Sequence, residues 1–437
     1  MKEALAELCQ LLKEQDDLHQ FELVFIQDGG ASFEFGHSPL QDARDDLRRG
    51  KFKIGCLAKI LISGAFVHFD RSKYNSFSLE APINKYLSGN ASRESKWDDS
   101  FEAVSMAQLL CHASGIDDFF VSLLESTEVS DREVVNQIFR EGFIFPPSSR
   151  QSYCNLGYLL LVFAIERITG KRWLAFLNEF YGTDLQIAEG ENDKTLQRSG
   201  SNASMKSQKH PRSKCAQMLS AVVGHNLYLS RSDMKLILGF LVSRMGDDDE
   251  QDDFHAMTES LACVNSNRVF NGHGWYKVRG NLHYQSIGSQ KEKGTIIVDR
   301  KKKYALGFLG NGEGKRCNSL IISCLAKEEF DPRKFNIGPL PNNTKPWNFF
   351  LGNFKGNGYK FYIEHEEGLG LYARHTKINI PGISEPTALL QFSDFILVAK
   401  TNTVGWPYDS RQITYIQEAD DSPPLFIRIG STILARC

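Results

Sequence analysis

Apolar residues at helical spacing open the chain: Leu5, Leu8, Leu11 and Leu12 fit one face of an amphipathic helix, with acids and bases on the other. The period then shortens to two. Phe21 to Gln27 and Ser32 to Phe35 flank Asp28-Gly29-Gly30, the pattern of a β-hairpin with a glycine-rich turn. From Phe52 to Phe69 the chain is apolar and free of proline, which predicts a buried helix that opens at Ile54-Gly55. Shorter helices are predicted over Pro82–Leu87 and Ser105–His112. Pro146-Pro147 breaks the chain before Tyr153-Cys154-Asn155, and a second long apolar helix follows over Leu156–Thr169, stopped by Gly170.

The pattern changes again near Gly274. Thr295–Val298 and Tyr304–Leu309 read as strands joined by the turn Asp299–Lys303, and Asn318–Leu325 as a helix packed on them. Residues 189–214 are polar and rich in Ser, Lys and Asn, which predicts a flexible surface insertion, and the acidic run Asp247–Asp253 reads as a solvated loop. Residues 331–346 hold prolines, glycines and asparagines and form the best linker. From 347 to 437, short strands alternate with Gly, Pro, Asn and Asp turns, an all-β module. A chain of 437 residues is too long for one ordinary core, so a large first domain over 1–330 and a small one over 347–437 are expected.

Composition narrows the function classes. With 41% hydrophobic and 24% charged residues, the chain has the make-up of a soluble globular protein. A formal charge of −2 gives no electrostatic reason to expect nucleic acid or an anionic membrane as partner. Apolar runs such as Tyr158–Ile165 fall far short of the roughly 20 residues that span a bilayer. Nine cysteines, an odd number with no CxxC pair, and no apolar leader point to reduced thiols and a cytoplasmic setting. The histidines share no metal-ligand spacing with the cysteines, so neither metal nor cofactor is expected.

Two short elements carry candidate chemistry. In Gly55-Cys56-Leu57-Ala58-Lys59, a helix that begins near Gly55 puts Cys56 and Lys59 on one face, about 5–6 Å apart at Cβ. A thiol at a helix N-terminus beside an ammonium is favoured as the nucleophilic thiolate. A buried core cysteine followed by a lysine that snorkels to the surface has the same spacing. Tyr153-x-Asn155 sets a phenol and an amide just before a helix, able to shuttle a proton and to orient a lysine or a substrate carbonyl; a turn tyrosine and a helix-capping asparagine fit equally.

Order and spacing join these elements. Phe52-Lys53-Ile54-Gly55-Cys56-Leu57-Ala58-Lys59, Leu109-Leu110-Cys111-His112-Ala113-Ser114-Gly115-Ile116, and Tyr153-Cys154-Asn155-Leu156-Gly157-Tyr158 through Thr169-Gly170 follow in turn. Together they resemble the serine β-lactamase and penicillin-binding-protein superfamily, in its class C, D-aminopeptidase and esterase branch, with Cys56 in place of the nucleophilic serine. The resemblance implies an α+β fold, an antiparallel sheet flanked by helices plus an all-helical subdomain. It also implies that residues 347–437, whose Phe350-Leu351-Gly352-Asn353-Phe354-Lys355-Gly356 is similar to an opening strand, form a small lipocalin-like barrel.

By the same resemblance Cys56, Lys59 and Tyr153 are catalytic and Asn155 binds substrate. The family's third element, a cationic strand motif, is altered: Ser286-Ile287-Gly288 stands in its place, so Ser286 and Gly288 are the substrate-side candidates, with His283 the alternative if the register slips. A missing strand cation argues against a substrate held by a terminal carboxylate. The implied reaction is acyl transfer through a thioester on Cys56, from a small-molecule donor or a carrier-protein thioester to an acceptor. Hydrolysis with water as acceptor, and a non-catalytic binding protein on the same fold, are the alternatives.

Overall fold

The computed structural model describes residues 2–15, 18–37, 51–87, 104–118, 130–187, 214–222, 226–246, 253–258, 272–279, 282–287, 292–312, 317–326, 346–356, 358–367, 370–377, 386–393, 396–399, 412–416, 424–429 and 432–437. The predicted hairpin forms from β1 (Leu18–Gln27) and β2 (Ser32–His37). It joins β6 (Tyr276–Arg279), β7 (Leu282–Ser286), β8 (Glu292–Asp299) and β9 (Tyr304–Gly312) in one antiparallel sheet of order β2-β1-β9-β8-β7-β6. First and last segments of the unit thus meet at the centre, β1 lying along β9.

Each face of the sheet has its own apolar cover. On one side α1 (Lys2–Lys13) and the helix Cys317–Ala326 bury Leu5, Leu8 and Leu12 against Phe21, Leu23, Phe25 and Phe308. Leu11 departs from the expected face: it is 40% exposed, and Cys9 is buried instead. At 100° per residue Leu11 lies roughly 110° from the centre of the Leu5–Leu8–Cys9–Leu12 stripe. On the other side sits a helical layer with the larger core, centred on α2 (Ala58–Arg71) and the helix Asn155–Thr169. Both helices are apolar nearly all round, as a helix enclosed by its neighbours must be.

One expected boundary moves. Phe52 opens no helix; it lies in β3 (Lys51–Lys53), which pairs with β5 (Leu227–Ser230), and β5 pairs with the two-residue β4 (Gln186–Ile187). The apolar run hid a strand, a 3₁₀ turn over Gly55–Leu57 and then a helix, because a short buried strand and a buried helix share one hydropathy. The helix Asn155–Thr169 ends as predicted on Gly170, at φ 69°.

The C-terminal strands are β10 (Gly352–Gly356), β11 (Tyr359–Glu366), β12 (Gly370–Lys377), β13 (Thr387–Ser393), β14 (Ile396–Ala399), β15 (Gln412–Ile416), β16 (Phe426–Ile429) and β17 (Thr432–Arg436). Each pairs antiparallel with the next and β17 returns to β10, so the barrel is closed and leaves no free edge. Its interior is filled by Phe350, Phe354, Phe361, Leu397 and Tyr415 among others. The barrel touches the rest of the chain through the segment ahead of Tyr153. There Ser152 Oγ accepts the Ile433 amide at 2.9 Å, Phe145 packs with Ile416 and Ile433, and the Arg150 guanidinium lies 4.8 Å from the Phe426 ring centre.

The insertion at 189–213, linker residues 331–345, acidic residues 247–252 and Gly288 lie outside the described residues. Among the described residues no helix is long and apolar enough to cross a membrane.

Candidate active site

Gly55 takes φ +52°, a backbone state that side chains resist, and a Cβ there would lie 2.6 Å from Ile287 Cγ2. The turn carrying Cys56 is therefore pressed against the end of β7, and the Ile54 amide is tied to the Leu227 carbonyl at 3.0 Å. Cys56 is half-buried at the mouth of this turn. Lys59, one turn on, does not snorkel. It is wholly buried, its Nζ donates to the Val222 carbonyl at 3.3 Å, and it sits 4.9 Å and 5.5 Å from the ring centres of Tyr153 and Tyr158. Burial lowers the amine's pKa, against the opposing charges of Cys56, Asp118 and Cys154.

Tyr153 is held by its two neighbours. The Ser152 amide donates to the His112 carbonyl at 2.9 Å, and the Cys154 amide donates to His112 Nδ1 at 3.0 Å. His112 itself takes φ 59° and stacks on Tyr153 at 4.6 Å between ring centres. Burial, then the nearby charge of Lys59, keeps its pKa well below the ordinary value, so this imidazole is neutral and serves as a clamp. Tyr153's phenol moves the other way. Burial, then the charge of Cys56 and a hydrogen bond with it, push its pKa well above the usual range, and the hydroxyl keeps its proton at neutral pH.

Asn155 is buried at the first turn of its helix and donates through Nδ2 to Asp118 Oδ2 at 2.8 Å; Asp118 Oδ1 accepts the Leu156 amide at 2.9 Å. Burial raises the Asp118 carboxyl to about 6, against those hydrogen bonds and Lys59. Asp118 was absent from the candidates read in the sequence. Its one signal is the Asp117-Asp118 pair directly after the apolar Ser114-Gly115-Ile116 turn, where Gly115 at φ +78° lets the Phe145 carbonyl pass within 2.0 Å of where a Cβ would stand. Tyr158 was also passed over; its hydroxyl donates to the Leu110 carbonyl at 2.7 Å and forms the floor below Lys59.

The structure gathers Cys56, Lys59, Tyr153 and Asn155 around one junction of turn, helix and sheet. Ser286 closes β7 and is partly exposed, one residue before Ile287. It is Ile287 that lies against Gly55. His283 is buried in the core, edge-on to Phe254, away from the cleft. Among the described residues no three His, Cys, Asp or Glu side chains converge as metal ligands.

A helical layer packed on an antiparallel sheet is the architecture of the β-lactamase and penicillin-binding-protein superfamily. The chain belongs to the Beta-lactamase family, whose sequence profile matches residues 35–318. It is 23% identical over 185 residues to penicillin-binding protein 4* of Bacillus subtilis (strain 168), a match covering 40% of this chain and 38% of that relative's length. Among solved structures, SurE with D-Leu is similar over 100% of this chain and 99% of its own, at TM-score 0.68 and 17% identity. The D-amino acid amidase of Ochrobactrum anthropi SV3 is similar over 75% of this chain and 99% of its own, at TM-score 0.52 and 16% identity. At such identities the structural likenesses speak to fold.

Proposed function

We propose that Cys56 is the nucleophile of an acyl-transfer reaction and carries the acyl group as a thioester. The observation that supports this best is the desolvated Lys59 amine, enclosed by two aromatic rings beside Cys56. An amine whose pKa is lowered by burial is suited to take the thiol proton as Sγ attacks a carbonyl. The new S–C bond forms as the bond to the leaving nitrogen or sulfur breaks, and the leaving atom takes a proton from the Tyr153 hydroxyl. An amine acceptor then attacks the thioester, gives a proton back through Tyr153, and releases the Cys56 thiol. The backbone amide of Cys56 is a proposed donor to the carbonyl oxygen. Ile287, uncharged at the Cys56 turn, is consistent with an acyl group that brings no carboxylate to that strand.

Hydrolysis is the second reading, supported by the amidase among the structural neighbours. Both start with the same intermediate, and one experiment separates them. The protein is incubated with N-acetylcysteamine thioesters of D- and L-amino acids, and intact mass is followed with and without an added primary amine. A single acyl adduct that vanishes in Cys56→Ala, together with amide product, supports transfer; adduct with free acid alone supports hydrolysis. Turnover retained in Cys56→Ala overturns both.

A further inference from the structure

We propose that Asp118 is a positioning residue that locks the Asn155 amide in one orientation and, through it, sets the acid edge of the pH range in which the Cys56–Lys59–Tyr153 group works. The lock stands on geometry; the acid edge rests on the acyl-transfer reading above.

An asparagine amide has nearly the same shape in its two flipped states, so its surroundings must choose which end is donor and which is acceptor. Here the chooser is a carboxylate that is 3% exposed and accepts from Asn155 Nδ2 at 2.8 Å, from the Leu156 amide at 2.9 Å and from the backbone amide of Asn155. An ionised carboxylate only accepts, so Asn155 must turn its NH2 toward Asp118 and its Oδ1 away. That Oδ1 is buried and makes no hydrogen bond among the described residues. Asp118 thus decides that Asn155 offers an acceptor on its other side. The second bond, to the Leu156 amide, fixes Asp118 to the start of the Asn155–Thr169 helix, where a negative charge is favoured.

The ionisable groups around Asp118 come from each element packed on it. Lys59 from α2 supports its charge, Tyr153 and Cys154 from the segment before the helix are raised by it, and Asp117 on its own segment acts on the same Cys154. His112 is neutral and adds no charge. With the carboxyl raised to about 6 by burial, Asp118 takes up a proton inside the range of ordinary assays. The protonated form has an O–H to donate. It no longer forces the NH2 of Asn155 toward itself, and the amide is released.

The test uses the full chain labelled with ¹⁵N-leucine, with the Leu156 resonance assigned by its loss in Leu156→Met. The Leu156 amide proton is followed from pH 4.5 to 8, and the rate of Cys56 acylation by the thioester probe is measured over the same range. We expect the Leu156 shift to titrate with a midpoint near 6 and the titration to vanish in Asp118→Asn. Acylation in the parent should fall below that midpoint, and in Asp118→Asn it should lose this acid limb and run about 10- to 100-fold slower at neutral pH. Asn155→Ser, which keeps the Asp118–Leu156 bond, guards against misfolding of the first variant: it should keep the Leu156 titration and lose the acid limb. A Leu156 amide that does not titrate between pH 5 and 7 overturns the lock. An acid limb that persists in Asn155→Ser overturns the coupling. If the parent is never acylated at any pH, the acyl-transfer reading fails and the coupling falls with it, while the Leu156 titration still decides the lock.

Discussion

Replacing Ser152 with alanine removes the acceptor for the Ile433 amide, a hydrogen bond that ties β17 to the segment leading into Tyr153. Ser152 is 6% exposed and Ile433 fully buried, and the surroundings are the side chains of Phe145 and Ile416, so the stranded N–H finds no water there. Leaving a buried donor unpaired costs about 1–3 kcal/mol, more than the net worth of an ordinary exchangeable bond. Since 1.4 kcal/mol is tenfold, the population with the barrel edge undocked rises by about 5- to 150-fold. Arg150→Ala is the comparison. It loses the contact with the Phe426 ring at a site still open to water, worth about 0.5–1 kcal/mol, or roughly two- to fivefold. Hydrogen–deuterium exchange of peptides covering Thr432–Arg436 and Ser152–Tyr153 should therefore speed up strongly in Ser152→Ala and slightly in Arg150→Ala. Cys56 acylation should slow in the same order, because Tyr153 follows Ser152 directly in the chain. Unchanged exchange of β17 in Ser152→Ala, or a larger effect from Arg150→Ala, refutes the idea that this bond seats the barrel on the site.

Three more predictions come from single positions. Gly55→Ala forces a Cβ into a left-handed state, costing about 1–2 kcal/mol, and onto Ile287 at 2.6 Å. Mass-spectrometric labelling of Cys56 should slow at least several-fold, with Ile287→Ala restoring part of the rate. Tyr153→Phe should still accumulate the acyl adduct on Cys56 but pass it to an amine about 10²–10⁴-fold more slowly, read by single-turnover kinetics; an unaltered transfer step removes Tyr153 from the proton path. His273 is buried with its pKa lowered to about 4, against 6.5 for the free side chain. Below pH 6.5 the unfolded chain binds a proton that the folded one refuses, so stability is lost as pH falls from 6.5 toward 4, at about 1.4 kcal/mol per unit. By pH 5 that is about 2 kcal/mol, and His273→Gln should show a smaller drop in urea midpoint between pH 7 and pH 5 than the parent.

The parts legible in the sequence were those whose signal is local. The Asp28-Gly29-Gly30 hairpin and the Gly170 stop each rest on a few adjacent residues, and the structure builds them where expected. What escaped depends on partners far along the chain. Asp118 gains its role from Asn155 and Leu156, 37 and 38 residues on, and the adjacent Asp117 is its one local signal. The enclosure of Lys59 comes from Tyr153, Tyr158 and Val222, all distant in sequence, so its full burial could not be read from the Cys56 spacing. The β7 strand end is a different case. Ser286 and Ile287 are adjacent, and in a strand one residue is the difference between two faces of the sheet. Counting along the chain found the right strand end but not which of the two side chains meets the Cys56 turn.

That side chain matters for what Lys59 can do. In a site where the strand supplies a cation, a second buried amine can share the work of holding an anionic substrate. Here the residue against the Cys56 turn is Ile287, and Lys59 is sealed between a carbonyl and two aromatic rings, with its charge already discouraged by burial. A desolvated amine in such an enclosure is poorly placed to anchor a carboxylate and well placed to exchange a proton with the thiol next to it. Asp118 supports the ammonium form from the other side. Lys59→Arg, which keeps a charge but cannot lose it, should therefore impair acylation of Cys56 at neutral pH as severely as Lys59→Met, and a variant that retains the parent rate would show that the lysine acts as a fixed charge.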